Sequence, residues 1–148
     1  MKVLFVCLGN ICRSPMAEFI AKDYLKSNQI NNIEVSSAGT ANYHEGSFFD
    51  LRTKKVLDKH KIWYDLEFKS KPISQKLFNN FDWIVTMDDQ NYHDVLVRFK
   101  NSDKVLKITD LSDKFDRVPD PWYDGNFERT FEILSQLIPK LFLKLESK

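Results

Sequence analysis

Residues 3–24 read VLFVCLGNICRSPMAEFIAKDY, and the change of period inside this stretch decides the fold. Val3, Leu4, Phe5 and Val6 form an unbroken apolar run, the pattern of a short strand buried on both faces in a parallel sheet. From Ser14 onward the spacing changes, and Ala17, Ile20, Ala21 and Tyr24 recur on one face of a 3.6-residue helix. Ser14 is expected to cap that helix, with Pro15 at the first helical position, where its missing N–H costs no hydrogen bond. Between strand and helix runs a loop holding both cysteines of the chain, Cys7 and Cys12, together with Gly9 and Asn10.

The same order repeats along the chain. Ile33 to Ser37 reads as a second strand, and Asp50 opens a helix to about His60 that turns Val56 and Leu57 inward. Trp83 to Met87 reads as a third strand. Asp88 and Asp89 then open a helix with Tyr92, Val95, Leu96 and Phe99 on one face, and Val105 to Ile108 is the fourth strand. The stretch DLSDKFDRVPDPWYDG, residues 110–125, reads as a loop long enough to carry function. Phe127, Phe131, Leu134, Ile138, Leu141 and Leu145 predict a final amphipathic helix, with a kink or break at Pro139.

No repeat, low-complexity tract or linker divides the 148 residues, of which 43% are hydrophobic and 14% aromatic, which suits one core. The expectation is a single doubly wound α/β domain over residues 1–148, with a four-stranded parallel sheet flanked by helices on both faces. Its ligand site belongs beyond the carboxyl ends of the strands.

Composition narrows the function classes. A formal charge of +1 with 29% charged residues provides no broad basic face for nucleic acid, so an anion site has to be built locally. The apolar run near the N-terminus is too short for a membrane span and lacks a secretory cleavage pattern, so a cytoplasmic protein is expected, with neither nucleic acid nor membrane as partner. Two cysteines five positions apart make a poor disulfide framework and read instead as catalytic or redox-active. His44, His60 and His93 stand at no metal-ligand spacing, so neither metal nor cofactor is expected.

The loop itself is suited to an anion. A backbone bent at Gly9 and Asn10 and running into a helix turns successive N–H groups inward, beside the positive end of the helix dipole. Gly9 accepts positive φ freely and Asn10 tolerates it. A nucleotide-binding loop needs two glycines and a lysine before the Ser/Thr, and Arg13 stands here instead, with a planar fork that can grip two phosphate oxygens. Inward amides, a helix terminus and a guanidinium also favour a thiolate at Cys7. Residue by residue the competing reading is a small hydrophobe, a surface charge and a cap. Taken together the residues read as a nucleophile inside an anion cradle.

Cys7, five residues, Arg13 and Ser14 resemble the phosphate loop of cysteine-dependent phosphatases, and CLGNICRSPMAE resembles that of the low-molecular-weight protein tyrosine phosphatases. Ser36-Ser37-Ala38-Gly39-Thr40, Asp82-Trp83-Ile84-Val85 with Met87-Asp88, and Asp120-Pro121-Trp122 match that family in order and spacing. The resemblance implies a protein tyrosine phosphatase that passes through a phosphocysteine on Cys7. Asp113, Asp116, Asp120 and Asp124 are all available as the proton donor by composition, and the resemblance selects Asp120, held extended before Pro121. It implies that Ser14 donates a hydrogen bond to Cys7, and that Asn10 and Ser37 support the loop. Leu8, Gly9, Asn10, Ile11, Cys12 and Ser14 are then expected around the phosphoryl group. Tyr43, Trp122 and Tyr123 are expected to wall a slot for a phenyl ring. Ile11 stands where a phosphoarginine-directed branch carries threonine.

The implied partners are tyrosine-phosphorylated proteins, a tyrosine kinase among the candidates, with inorganic phosphate as product. Alternatives are a phosphoarginine phosphatase, an arsenate reductase, which needs further cysteines after Cys12, and an idle phosphotyrosine-binding module. Cys7 and Cys12, bent around one anion, are also expected within disulfide reach and hence redox-sensitive. Two departures stand out. Phe68-Lys69-Ser70-Lys71 replaces a His-x-Ala-Arg segment, and Asp50-Leu51-Arg52 lacks a proline. Altered rigidity or stability, rather than lost activity, is the expected consequence.

Overall fold

A computed structural model describes residues 1–147; Lys148, the last residue of the expected domain, lies outside them. Strand β1, Lys2–Cys7, pairs in parallel with β2, Glu34–Gly39, on one side and with β3, Trp83–Thr86, on the other. Strand β4, Val105–Lys107, pairs with β3, so the sheet order is β2-β1-β3-β4 and every pair is parallel. Because Val3 to Val6 are wholly buried, alternate side chains of β1 feed two cores. Val3, Phe5 and Cys7 enter one, and Leu4 and Val6 the other.

Helices α1, Arg13–Ser27, and α6, Phe127–Glu146, cover the first face, joined by Val56 and Leu57 of α2, Leu51–Lys59. Phe78 of α3, Gln75–Asn80, and Val95 of α4, Asp89–Arg98, close the second. This is the doubly wound α/β arrangement expected. Its consequence is a crevice at the carboxyl ends of β1 and β3, where the connections leave toward opposite edges of the sheet. No helix among the described residues is long and apolar enough to cross a membrane.

The local expectations fail in instructive places. Helix α1 begins at Arg13 with Cys12 as N-cap and no side-chain cap. Ser14 and Pro15 are therefore its second and third residues, and Ser14 is drawn away from capping by Cys7 and Asn10. Pro15 still falls among the first N–H groups that have no partner within a helix. Helix α3, capped by the Ser74 hydroxyl accepting from the Leu77 N–H, was not expected, because six residues with one buried side chain show no period. Strand β4 ends at Lys107, and Ile108–Leu111 coils into a 3₁₀ turn.

Helix α6 runs without a break through Pro139. Leu134, Leu137, Ile138, Leu141 and Phe142 are fully buried on both sides of it. At about 1.5–3 kcal/mol each, their burial outweighs the ~3 kcal/mol that an interior proline costs.

Candidate active site

Cys7 ends β1 at the crevice, in register with Gly39 at the end of β2. Its Sγ lies 3.0 Å from Ser14 Oγ and accepts the Ser14 N–H at 3.4 Å, so the first turn of α1 presents both a hydroxyl and an amide to the sulfur. The loop between them bends at Asn10, whose φ of 57° is left-handed. Gly9 does not adopt positive φ, contrary to the expectation that it shares the bend. Glycine is required at Gly39, where a Cβ would stand 2.7 Å from the Leu8 carbonyl oxygen and 3.2 Å from Asn10 N. Gly39→Ala is therefore expected to force the loop backbone outward and to destabilise the protein by about 1–3 kcal/mol. Thermal unfolding checks this as a fall of roughly 2–4 °C per kcal/mol.

Asn10 is fully buried and uses both ends of its amide. Nδ2 donates to Ser14 Oγ at 2.8 Å and to Ser37 Oγ at 3.0 Å, while Oδ1 accepts the Lys71 N–H at 3.0 Å. Ser37 Oγ donates to Glu18 Oε1 at 2.6 Å, and Lys22 donates to Glu18 Oε2 at 2.7 Å. Because Ser14 Oγ accepts from Asn10, its own proton is free for the sulfur at 3.0 Å, which is closer than the Ala38 carbonyl at 3.4 Å. Asn10 and Ser37 thus belong to one chain of hydrogen bonds that runs from Glu18 to Ser14 and Cys7.

Arg13, 3% exposed, is held by the crossing chain. Nη1 donates to Asp88 Oδ2 at 2.6 Å and to the Val118 carbonyl at 3.0 Å, and Nη2 reaches Asp120 Oδ2 at 3.4 Å. Burial works to lower the Arg13 pKa. The Cys7 sulfur, the hydrogen bond and charge of Asp88, and Asp120 outweigh it, so the net shift is upward and the guanidinium stays charged. Cys12 behaves oppositely to a nucleophile. Burial first, then Cys7, Asp50 and Asp120, push its thiol far above the usual range, against a smaller pull from Arg52. Both cysteines are free thiols.

A cavity of about 200 Å³ opens over this loop, lined by Cys7, Leu8, Gly9, Ile11, Cys12 and Arg13 at its floor. Tyr43, His44, Asp120, Trp122 and Tyr123 complete the wall. Of the candidate acids Asp113, Asp116, Asp120 and Asp124, Asp120 alone lines this cavity. It is extended, at φ −80° and ψ 112°, and its Oδ1 accepts the Trp122 N–H at 3.0 Å, which caps the short helix α5, Pro121–Asp124. Asp124 instead accepts the Asn126 N–H, as turn chemistry predicts.

Two of the expected contacts are displaced. Asn10 and Ser14 do not line the cavity; their side chains bond each other, with Asn10 also reaching Ser37 and Ser14 also reaching Cys7. Tyr43, Trp122 and Tyr123 do line the opening, but at 73%, 50% and 78% exposure they form a raised rim rather than a deep slot.

Sequence reasoning missed four contributors. Asp88, read as opening a helix and as part of the Met87-Asp88 match, was given no role at the site, yet its Oδ1 accepts the Asn91 N–H while Oδ2 holds Arg13. Glu18, one turn beyond Ser14, carries a detectable signal: an acid near a helix start on an otherwise apolar face. His44, with its ring 5.9 Å from Trp122, and Ser70 give none. The missing proline in Asp50-Leu51-Arg52 is offset locally. Asp50 caps α2 by accepting the Arg52 N–H at 2.8 Å and grips the same residue's guanidinium at 3.0 and 2.9 Å. That guanidinium lies 5.6 Å from the Trp122 ring centroid and 4.6 Å from that of Phe127.

The chain is similar to known proteins over its length. The family model described as low molecular weight phosphotyrosine protein phosphatase matches residues 2–148. The low molecular weight protein-tyrosine-phosphatase YfkJ of Bacillus subtilis is 33% identical over 100% of this chain and 97% of its own length. A crystal structure of the protein tyrosine phosphatase from Entamoeba histolytica, with Hepes in its active site, superposes with a TM-score of 0.93 at 39% identity, covering 99% of this chain and 97% of that one. The YwlE arginine phosphatase, in a mutant whose active-site serine is phosphorylated, superposes with a TM-score of 0.88 at 26% identity, covering 99% and 96%.

Proposed function

The chain belongs to the low molecular weight phosphotyrosine protein phosphatase family and is a phosphoric monoester hydrolase, and from that premise we propose that it hydrolyses phosphotyrosine in proteins through a phosphocysteine on Cys7. The observation that carries this reading is the convergence on one cavity of a sulfur with two hydrogen-bond donors, a buried guanidinium and a single carboxyl group. We read residues 1–148 as one catalytic domain.

In the first step Cys7 Sγ attacks phosphorus and the bond to the tyrosyl oxygen breaks. Asp120 delivers its proton to that oxygen, so that phenol rather than phenolate leaves. Loop amides and the Arg13 fork hold the equatorial oxygens as charge shifts across the phosphoryl group. In the second step Asp120 takes a proton from water, the water oxygen attacks phosphorus, and the P–S bond breaks to release inorganic phosphate. The departing sulfur recovers the hydrogen bonds from Ser14 Oγ and the Ser14 N–H. The phosphorylated active-site serine of the similar YwlE mutant supports a covalent route.

Asp120→Asn tests the proton donor. It keeps the shape of the side chain, and kcat is expected to fall by about 10² to 10⁴. The loss should be largest for phenyl phosphate and least for p-nitrophenyl phosphate, whose leaving group needs no proton. Equal losses on both esters would remove Asp120 from this role. The aromatic rim and Ile11 favour phosphotyrosine over phosphoarginine. Efficient dephosphorylation of phosphoarginine protein with aryl phosphates ignored would reverse that choice.

A further inference from the structure

The segment where this chain departs from the family pattern lies directly against the phosphate loop. The Phe68 ring packs between Phe19, at 5.9 Å, and Phe49, at 5.3 Å, which anchors the segment in the core. Two residues on, Ser70 is 3% exposed, and its Oγ donates to the Asn10 carbonyl oxygen at 2.6 Å. That carbonyl belongs to the residue whose left-handed φ makes the loop bend. The next residue, Lys71, gives its N–H to Asn10 Oδ1 and accepts the Gly39 N–H at 2.9 Å, and its Nζ donates to Ser36 Oγ at 3.0 Å.

The main chain of Ser70 faces the other way. Its carbonyl accepts the Gly46 N–H at 2.8 Å and its N–H donates to the Ser47 carbonyl at 2.8 Å. Ser47 N–H in turn donates to the His44 carbonyl at 2.9 Å, and His44 and Tyr43 stand on the cavity rim. One residue therefore ties the bend of the phosphate loop, through its side chain, to the turn that carries the rim, through its backbone.

We propose, given the phosphatase mechanism on which this rests, that Ser70 is a positioning residue for the phosphoryl site: its hydroxyl holds the Asn10 peptide so that the loop amides face the oxyanion, and its backbone keeps the rim in register with them. Without the hydroxyl, the Asn10 carbonyl is buried with no partner, and its peptide is free to rotate toward another donor. Rotation of that peptide also moves the N–H of Ile11, a residue that lines the cavity. The loss falls on the grip on phosphate and leaves proton transfer by Asp120 untouched.

The test measures S70A and S70T beside the wild-type chain on p-nitrophenyl phosphate and phenyl phosphate, with inorganic phosphate as competitive inhibitor. S70A is expected to raise the phosphate Ki and lower kcat/KM by about tenfold each, with the ratio of rates on the two esters unchanged. S70T, which keeps the hydroxyl, recovers most of the loss. A merely structural role would lower kcat through the folded fraction and leave Ki alone, and that result overturns the proposal. So does S70T failing as badly as S70A, or S70A matching an active wild type. Should S70A not fold, S70C, of similar shape with a weaker donor, is expected to raise Ki likewise, and an unchanged Ki there counts against the proposal. A wild-type chain that neither cleaves the esters nor binds phosphate overturns the phosphatase reading and this proposal together.

Discussion

Cys7→Ser is expected to reduce aryl phosphate hydrolysis by on the order of 10⁵-fold or more, the largest loss from any single substitution in this chain. The change replaces one atom, so the packing around residue 7 and the hydrogen bonds from Ser14 are disturbed little. What changes is the nucleophile. The loop backbone, the helix terminus and Arg13 surround this position, and a serine hydroxyl is a far weaker nucleophile than a cysteine sulfur. No acidic or imidazole side chain hydrogen-bonds Cys7 Sγ among the described residues, so nothing beside it takes a proton from a serine.

Inorganic phosphate should bind the variant nearly as well as wild type, because Arg13 and the loop backbone are untouched. Initial rates, together with mass spectrometry of acid-quenched turnover mixtures, check both parts: a phosphoryl adduct on residue 7 in the wild type, and far slower turnover in the variant. A variant retaining more than about one hundredth of the wild-type rate would end the role assigned to Cys7.

Arg13→Lys is expected to lower kcat/KM by about 10³ to 10⁵, the range seen when a guanidinium that stabilises a transferring phosphoryl group is lost. The charge is conserved, so the loss isolates geometry. Arg13 engages Asp88, the Val118 carbonyl and Asp120 from two different nitrogens, and a lysine ammonium can neither span these partners nor present two parallel N–H groups to phosphate. The Asp88 carboxylate, bonded to Arg13 at 2.6 Å and 22% exposed, loses that guanidinium hydrogen bond in the variant, so a lower melting temperature should accompany the loss of activity. Rates corrected for the folded fraction separate the two effects. Full activity in folded Arg13→Lys protein would show that the guanidinium fork does not stabilise the reaction.

How far the molecule was legible depended on the range of the interaction. The strand–loop–helix at residues 3–24 was legible because the apolar run, the change of period and the helix lie within one local stretch. Strands β1 to β4 and helices α1, α2, α4 and α6 followed from the same kind of pattern. Ser14 was misread as a cap because its hydroxyl serves a partner seven residues back and another four residues back, a choice made by the folded loop and not by helix propensity. Of the kink or break expected at Pro139, the break did not occur, because core burial on α6 outweighs a local penalty. Where Phe68 and Leu51 depart from the pattern, an aromatic cluster takes up the first, and beside the second Asp50 caps α2 and binds the Arg52 guanidinium.

Sequence alone determined the arrangement that one short segment can encode: a sulfur at a strand end, a bend, an arginine and a helix start. Tertiary structure decided what meets that loop. Asp88 arrives from the end of β3, Asp120 from beyond β4, and Ser70 and His44 from connections that no periodic pattern describes. These partners are separated from the loop by more than 30 positions of chain, and only the parallel sheet, by placing the carboxyl ends of β1, β2 and β3 side by side, brings them to one cavity and its supporting loop.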